Sequence, residues 1–114
     1  MLVMSKLVLT YAYNVYTVVM RFECDPLKAA VNLRKHRVPL ADAEGVFNDA
    51  LAVRIEDPDA EHEQRFVAIG MGNTGVALVV VYTYGGDAIR VISARRASRK
   101  ERYEYESGVR LLER

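Results

Sequence analysis

Apolar residues recur along this chain with two different periods, and the change from one to the other divides it. Between Val18 and Asp25, Met20, Phe22 and Cys24 alternate with Arg21 and Glu23, the pattern of a half-buried strand. Asp25 and Pro26 then punctuate the chain. The aspartate can accept hydrogen bonds from the free amides of a first helical turn, and a proline at the first helical position gives up no bond that a helix would use. In the helix so predicted, Leu27, Ala30 and Val31 recur at i, i+3, i+4 and read as a core stripe with Leu33 at its edge. Arg34 falls where the next apolar residue is due, so its stem is expected along the core and its charge at the rim. Lys28, Asn32, Lys35 and His36 share the opposite, exposed face. After Pro39, "LADAEGVFNDA" predicts a short second helix anchored by Leu40, Ala43, Val46 and Phe47.

From Leu51 the period falls to two. "LAVRIE", "RFVAIGM", "ALVVVYTY" and "IRVISA" read as four strands, separated by an acidic loop and by the turn signals "GNTG" and "GGD". The last two connections are short enough for hairpins, which favours an antiparallel meander. "SRKE" at Ser98 to Glu101 matches a capping box and predicts a third helix that stops near Gly108. The expected architecture is α+β, in the order β-α-α-β-β-β-β-α, with a mainly antiparallel sheet and helices packed on one face.

At 114 residues the chain fits one domain with one core. Its single cysteine, Cys24, cannot form an internal disulfide, in keeping with a cytoplasmic location, and no Cys/His cluster has zinc-ligand spacing. Residues 1–19 are apolar and Tyr-rich but interrupted by Lys6 and Asn14, and they fall short of a membrane span. They read equally as an added strand or as the product of a start assigned upstream of Met20, with a membrane anchor third. The domain expected is therefore 20–108, followed by a tail at 109–114.

The net charge of +1 hides a segregation that changes the picture. "EDPDAEHE" at Glu56 to Glu63 is almost wholly acidic, whereas Arg90 to Arg102 carries six Lys/Arg against Glu101 alone. Strict strand alternation places Arg90, Ile92, Ala94 and Arg96 on one face and Ile89, Val91, Ser93 and Arg95 on the other. An arginine in an otherwise apolar strand should pair with a carboxylate or sit at a groove, so Arg90 is singled out. Arg95, Arg96 and Arg99 cluster at the strand end, where guanidinium donors and a capped helix start suit phosphate. The plainer alternative is a set of ion pairs with Glu101, Glu104 and Glu106. His36 shares a face with two lysines and is a candidate general base, or simply a helix-end residue facing the C-terminal dipole. His62 lies in the acidic loop and reads as solvated. "GMGNTG" sits at a strand-to-strand turn, which rules it out as a nucleotide loop.

Three segments, "DPLKAAVNLRKHRV", "DPDAEHEQRFVAIG" and "LVVVYTYGGDAIRVISARRASRKERYEYE", together resemble the BrnT toxins of type II toxin–antitoxin systems. The resemblance implies a RelE-like fold, metal-independent ribonuclease activity that halts translation, and no cofactor. It also implies a ribbon-helix-helix antitoxin, BrnA, forming a hetero-oligomer that meets DNA only through the antitoxin. The positions matching the family pattern are Lys28, Asn32, Lys35 and His36, then Arg65 after the acidic loop, then Arg90, Ser93, Arg95 and Arg96. Two departures stand out. The junction often written W-D-P in relatives is "CDP" here, and the glycine usual after "KH" is Arg37, which argues against a left-handed cap.

The expected chemistry is attack of a 2′-hydroxyl on the adjacent phosphate, leaving a cyclic phosphate and a free 5′-hydroxyl. Arg90 and Arg96 would stabilise the phosphorane, His36 or Lys35 would move the proton, and Lys28, Asn32, Arg65, Arg95 and Arg99 would position the RNA. The rival reading is a catalytically silent basic module that docks an antitoxin or DNA, since arginines stay charged and shuttle protons poorly.

Overall fold

The computed structural model describes residues 2–11, 16–57, 60 and 63–112, with side chains described at 3, 20–57, 60 and 63–108. The elements run β1 (Leu2–Tyr11), β2 (Tyr16–Cys24), α1 (Pro26–His36), a 3₁₀ turn (Leu40–Ala43), α2 (Glu44–Asn48), β3 (Val53–Glu56), β4 (Phe66–Met71), β5 (Ala77–Gly85), β6 (Ala88–Arg96) and α3 (Arg99–Leu112). One sheet has the order β1-β2-β6-β5-β4-β3. β3 to β6 form the antiparallel meander that the short turns require, and Gly86 turns the last hairpin at φ +60, a value cheap only for glycine. The join between β2 and β6 is parallel, a pairing no local pattern announced. β1 pairs antiparallel with β2, and β2 begins at Tyr16, ahead of Met20.

The core lies on one sheet face. Phe22 and Cys24 of β2, Leu78, Val80 and Tyr82 of β5, and Ile89, Val91 and Ala94 of β6 meet Leu40, Ala43, Val46 and Phe47, the four residues expected to anchor the short second helix. Phe47 stands edge-on to both Phe22 and Tyr82. Among the described side chains α3 adds none to this cluster; its buried Tyr105 instead donates to Asp49 Oδ2 at 2.6 Å.

Four expectations need correction. The first concerns α1, where Leu27 is 77% exposed and Val31 and Leu33 about half, while Asn32 is 4% exposed. Arg34 is exposed and Ala30 is too, so the helix is turned to put Ala29 against the core and Asn32 into the sheet edge. The reason is hydrogen bonding. β2 covers the edge of β6 only as far as Val91, and beyond it Ala94 would present an unpaired amide and carbonyl. Asn32 supplies both partners: Nδ2 donates to Ala94 O at 2.8 Å and to Val38 O at 2.9 Å, and Ala94 N donates to Oδ1 at 3.1 Å. A primary amide is the side chain that copies a strand's donor and acceptor together.

Second, the faces of β6 are not those of strict alternation. The register against β5 slips between Tyr82↔Val91 and Val81↔Ser93, so Ile92 is an extra residue in a bulge. The bulge inverts parity: Ala94 joins Ile89 and Val91 in the core, whereas Arg90, Ser93 and Arg95 share the opposite face. Arg90 and Arg96 therefore do not lie on one face. Third, Arg37 does form a left-handed cap (φ 59, ψ 26), its amide donating to Leu33 O, so the missing glycine changes the cost and not the geometry. Fourth, α3 continues past Gly108 to Leu112, because a glycine without positive φ weakens a helix but does not end it.

Candidate functional site

Where α1 leaves the edge of β6, the two elements enclose an open groove of about 360 Å³. Leu27, Val31 and Ile92 supply its apolar wall, and Lys28, Lys35, His36 and Ser93 supply its polar groups. Among the described residues no carboxylate lines it. The bulge matters here, because an extra residue at Ile92 aims both Ile92 and Ser93 toward α1. The helix spacing matters as well: Lys28, Val31 and Lys35 lie three and four apart and so project along one side. The last turn of α1 concentrates Arg34, Lys35 and His36 at the negative end of the helix dipole.

On the sheet face away from the core, Arg90 sits opposite Glu23 in the parallel ladder. Its Nη2 lies 3.5 Å from Glu23 Oε1, a long contact, and its Nε is buried without a partner among the described residues. Glu23 is 6% exposed and also meets Arg21 at 3.8 Å, while Arg21 reaches Asp87 at 3.1 Å. Arg90 is thus both paired with a carboxylate and 44% exposed on its side chain. It shares its face with Ser93, so β6 carries it beside the groove without lining it.

Arg95 has a different fate. It grips Glu101 with two bonds of 2.8 Å, and Glu101 also accepts from Ser98 N at 2.8 Å while its own amide donates to Ser98 Oγ at 3.2 Å. The capping box and the ion pair share one carboxylate. Arg95 and the Ser98 amide together hold Glu101 down to about 2, and Glu101 in turn raises the proton affinity of Arg95. The ion-pair alternative thus holds for Arg95. Arg96 and Arg99 are exposed at the end of β6 and the start of α3, and Arg65 pairs with Glu63 at 3.4 Å. His62 lies outside the described residues.

The structure therefore brings Lys28, Lys35, His36 and Ser93 together, sets Arg90 on the adjoining face, and leaves Arg65, Arg96 and Arg99 out of the groove. Asn32 lines the groove but spends its amide on β6 and Val38, which makes it the anchor of α1. Sequence reasoning missed Leu27, Val31 and Ile92, two of them having been assigned to the core. Their i, i+4 spacing carries no sign of which way the helix is turned. Among the described residues no group of three or more His, Cys, Asp or Glu side chains is placed to hold a metal ion. No helix among them is long and apolar enough to cross a membrane.

The family model described as "Ribonuclease toxin, BrnT, of type II toxin-antitoxin system" matches residues 25–101, more than half of the chain. The chain belongs to the BrnT family. Among solved structures it is similar to the BrnT ribonuclease toxin of Brucella abortus, with 29% sequence identity and a TM-score of 0.53. That match covers 68% of this chain and 96% of the Brucella protein. No curated protein matches the chain. The family match opens at Asp25, the N-cap of α1, and closes at Glu101, so it contains every residue that lines the groove.

Proposed function

We propose that this BrnT protein cleaves RNA at the groove between α1 and β6, without a metal, by attack of a 2′-hydroxyl on the neighbouring phosphate. The observation that carries the reading is the convergence of Lys28, Lys35, His36 and Ser93 on one groove that no carboxylate lines among the described residues. Lys28 and Arg90 hold the phosphate, His36 or Lys35 takes the proton of the 2′-hydroxyl, and fixed positive charge stabilises the phosphorane. Arg90 suits this role because its one carboxylate contact is long and leaves donors unused. Arg95, held by Glu101, orders the start of α3, and Arg65, Arg96 and Arg99 give the wider surface its attraction for a polyanion. The element order after β1 supports a RelE-like reading of residues 20–108, and family membership supports a cytoplasmic toxin that stops translation until a BrnA-like ribbon-helix-helix antitoxin binds it.

The test is incubation of the purified protein with a structured RNA in EDTA, with the product ends examined. Cyclic-phosphate ends are expected from the wild type. Arg90→Ala is made together with Glu23→Gln, so that no buried carboxylate is left uncompensated, and should lower kcat by about 10²–10³. A folded double variant that cleaves as fast as the wild type removes Arg90 from the mechanism. Intact RNA in every lane, from folded protein, would turn the cationic groove into a docking surface.

A further inference from the structure

The apolar wall of the groove is unexplained by phosphate chemistry, since lysines need no leucine beside them. Leu27 is 77% exposed and Val31 50%, on a helix that could have carried polar residues there at no cost to the core. Together with Ile92 they line a concavity into which a few polar groups converge, the usual make-up of a ligand site. The volume of about 360 Å³ lies near the lower end of the range for small-molecule sites. It suits one planar unit rather than a length of helix. The polar groups around it are two lysines, an imidazole and a hydroxyl, so the occupant is anionic at its edge and apolar at its face. Among the described residues none of the four has a side-chain hydrogen-bond or ion-pair partner, so they are available to a ligand.

Resting on the ribonuclease reading above, we infer that the groove receives one nucleobase turned out of its stack, with Leu27, Val31 and Ile92 against its face and Lys28 and Lys35 on the flanking phosphates. Single-stranded RNA is then the substrate class, because a base paired in an A-form duplex cannot present its face to a protein wall. Apolar contact of this kind is tolerant of base identity, as every base has a face. The amide of Asn32 is spent on β6 and Val38, which leaves the hydroxyl of Ser93 to meet the base edge, with His36 kept for the 2′-hydroxyl.

The test uses a short single-stranded oligonucleotide, 2′-O-methylated throughout so that it cannot be cleaved, the same strand with abasic central positions, and its blunt duplex. Affinity is read by fluorescence anisotropy over a range of salt, beside cleavage of unmodified RNA. The intact strand should bind the wild type about tenfold tighter than the abasic strand or the duplex. Leu27→Ala/Val31→Ala should erase that preference with the salt slope unchanged, since the phosphate contacts remain. Lys28→Gln/Lys35→Gln should instead flatten the slope by about 0.7 for each lost contact. Both apolar side chains are exposed, so a thermal melt should show the first variant folded as the wild type. Equal affinity for intact and abasic strands, while the wild type still cleaves RNA, overturns the base site and leaves the ribonuclease reading standing. Undiminished binding by Leu27→Ala/Val31→Ala overturns it as well, and assigns the apolar wall to a protein partner. Neither cleavage nor binding by the wild type overturns both.

Discussion

Replacing Asn32 by aspartate keeps the shape of the side chain and inverts the sense of two of its three bonds. The Nδ2 donations to Val38 O at 2.9 Å and Ala94 O at 2.8 Å become oxygen facing oxygen, while the bond from Ala94 N survives. Asn32 is 4% exposed, so water cannot easily replace what is lost. Each buried carbonyl left without its donor costs about 1–3 kcal/mol. A protonated aspartate can serve one carbonyl and not both, so even that form loses about 2 kcal/mol. The ionised form adds an uncompensated buried charge, and the total at pH 7 reaches about 4 kcal/mol. The folded state raises the carboxyl's proton affinity above its unfolded value of about 3.9, so the penalty is full at neutral pH and shrinks as pH falls toward that value. Asn32→Ala should lose about 3 kcal/mol with no such pH dependence. Urea unfolding followed by far-UV circular dichroism, at neutral pH and near pH 4, measures both. Hydrogen exchange at Ala94 should quicken in Asn32→Ala, which removes the acceptor of its amide, and less in Asn32→Asp, which keeps it. An Asn32→Asp protein within about 0.5 kcal/mol of the wild type at pH 7, or one whose deficit does not move with pH, would refute the reasoning.

Three further outcomes follow from particular residues. Arg37→Gly relieves a left-handed φ of 59 that arginine adopts at a cost, and should stabilise the protein by about 1 kcal/mol in a thermal melt. Glu101, at about 4.5 in the unfolded chain, is depressed to about 2 in the fold, so its contribution is present above pH 4.5 and lost as pH falls toward 2. Glu101→Gln should therefore be less stable than the wild type at pH 7 by about 1 kcal/mol, a figure held down by the exposure of Arg95, with the gap closing on acidification. Tyr105→Phe leaves Asp49 without its hydroxyl donor and should cost about 1–2 kcal/mol. Burial and the Asp49 carboxylate push Tyr105 up to about 12. Its stabilisation is thus complete below pH 10 and fades toward pH 12, which phenolate absorbance in Tyr105→Phe against the wild type would follow.

Local chemistry was readable wherever a short stretch decides its own conformation. Asp25 and Pro26 start α1, Ser98 and Glu101 close a capping box, and the period-two segments become β3 to β6. Leu40, Ala43, Val46 and Phe47 anchor the short helical segment because no other use of four such residues was open to it. Of the candidate site, Lys28, Lys35 and His36 were named from residue type and spacing and Ser93 only through the family resemblance, and all four line the groove.

What escaped the sequence is long-range. α1 has two faces that could each be buried, and periodicity favours the one richer in leucine and valine. The choice is made 62 positions away, by the amide and carbonyl of Ala94 at an edge that β2 does not cover. Satisfying those two buried groups is worth more than hiding Leu27 and Val31, and the apolar pair is left to line the groove. The bulge at Ile92 is likewise a property of two strands in register, invisible along either one, and it sends Arg90 and Arg96 to opposite faces. The sequence by itself determined which elements form from Met20 onward and which side chains are reactive. Only the tertiary structure decided which of them face one another, because that depends on backbone hydrogen bonds between segments that share no local pattern.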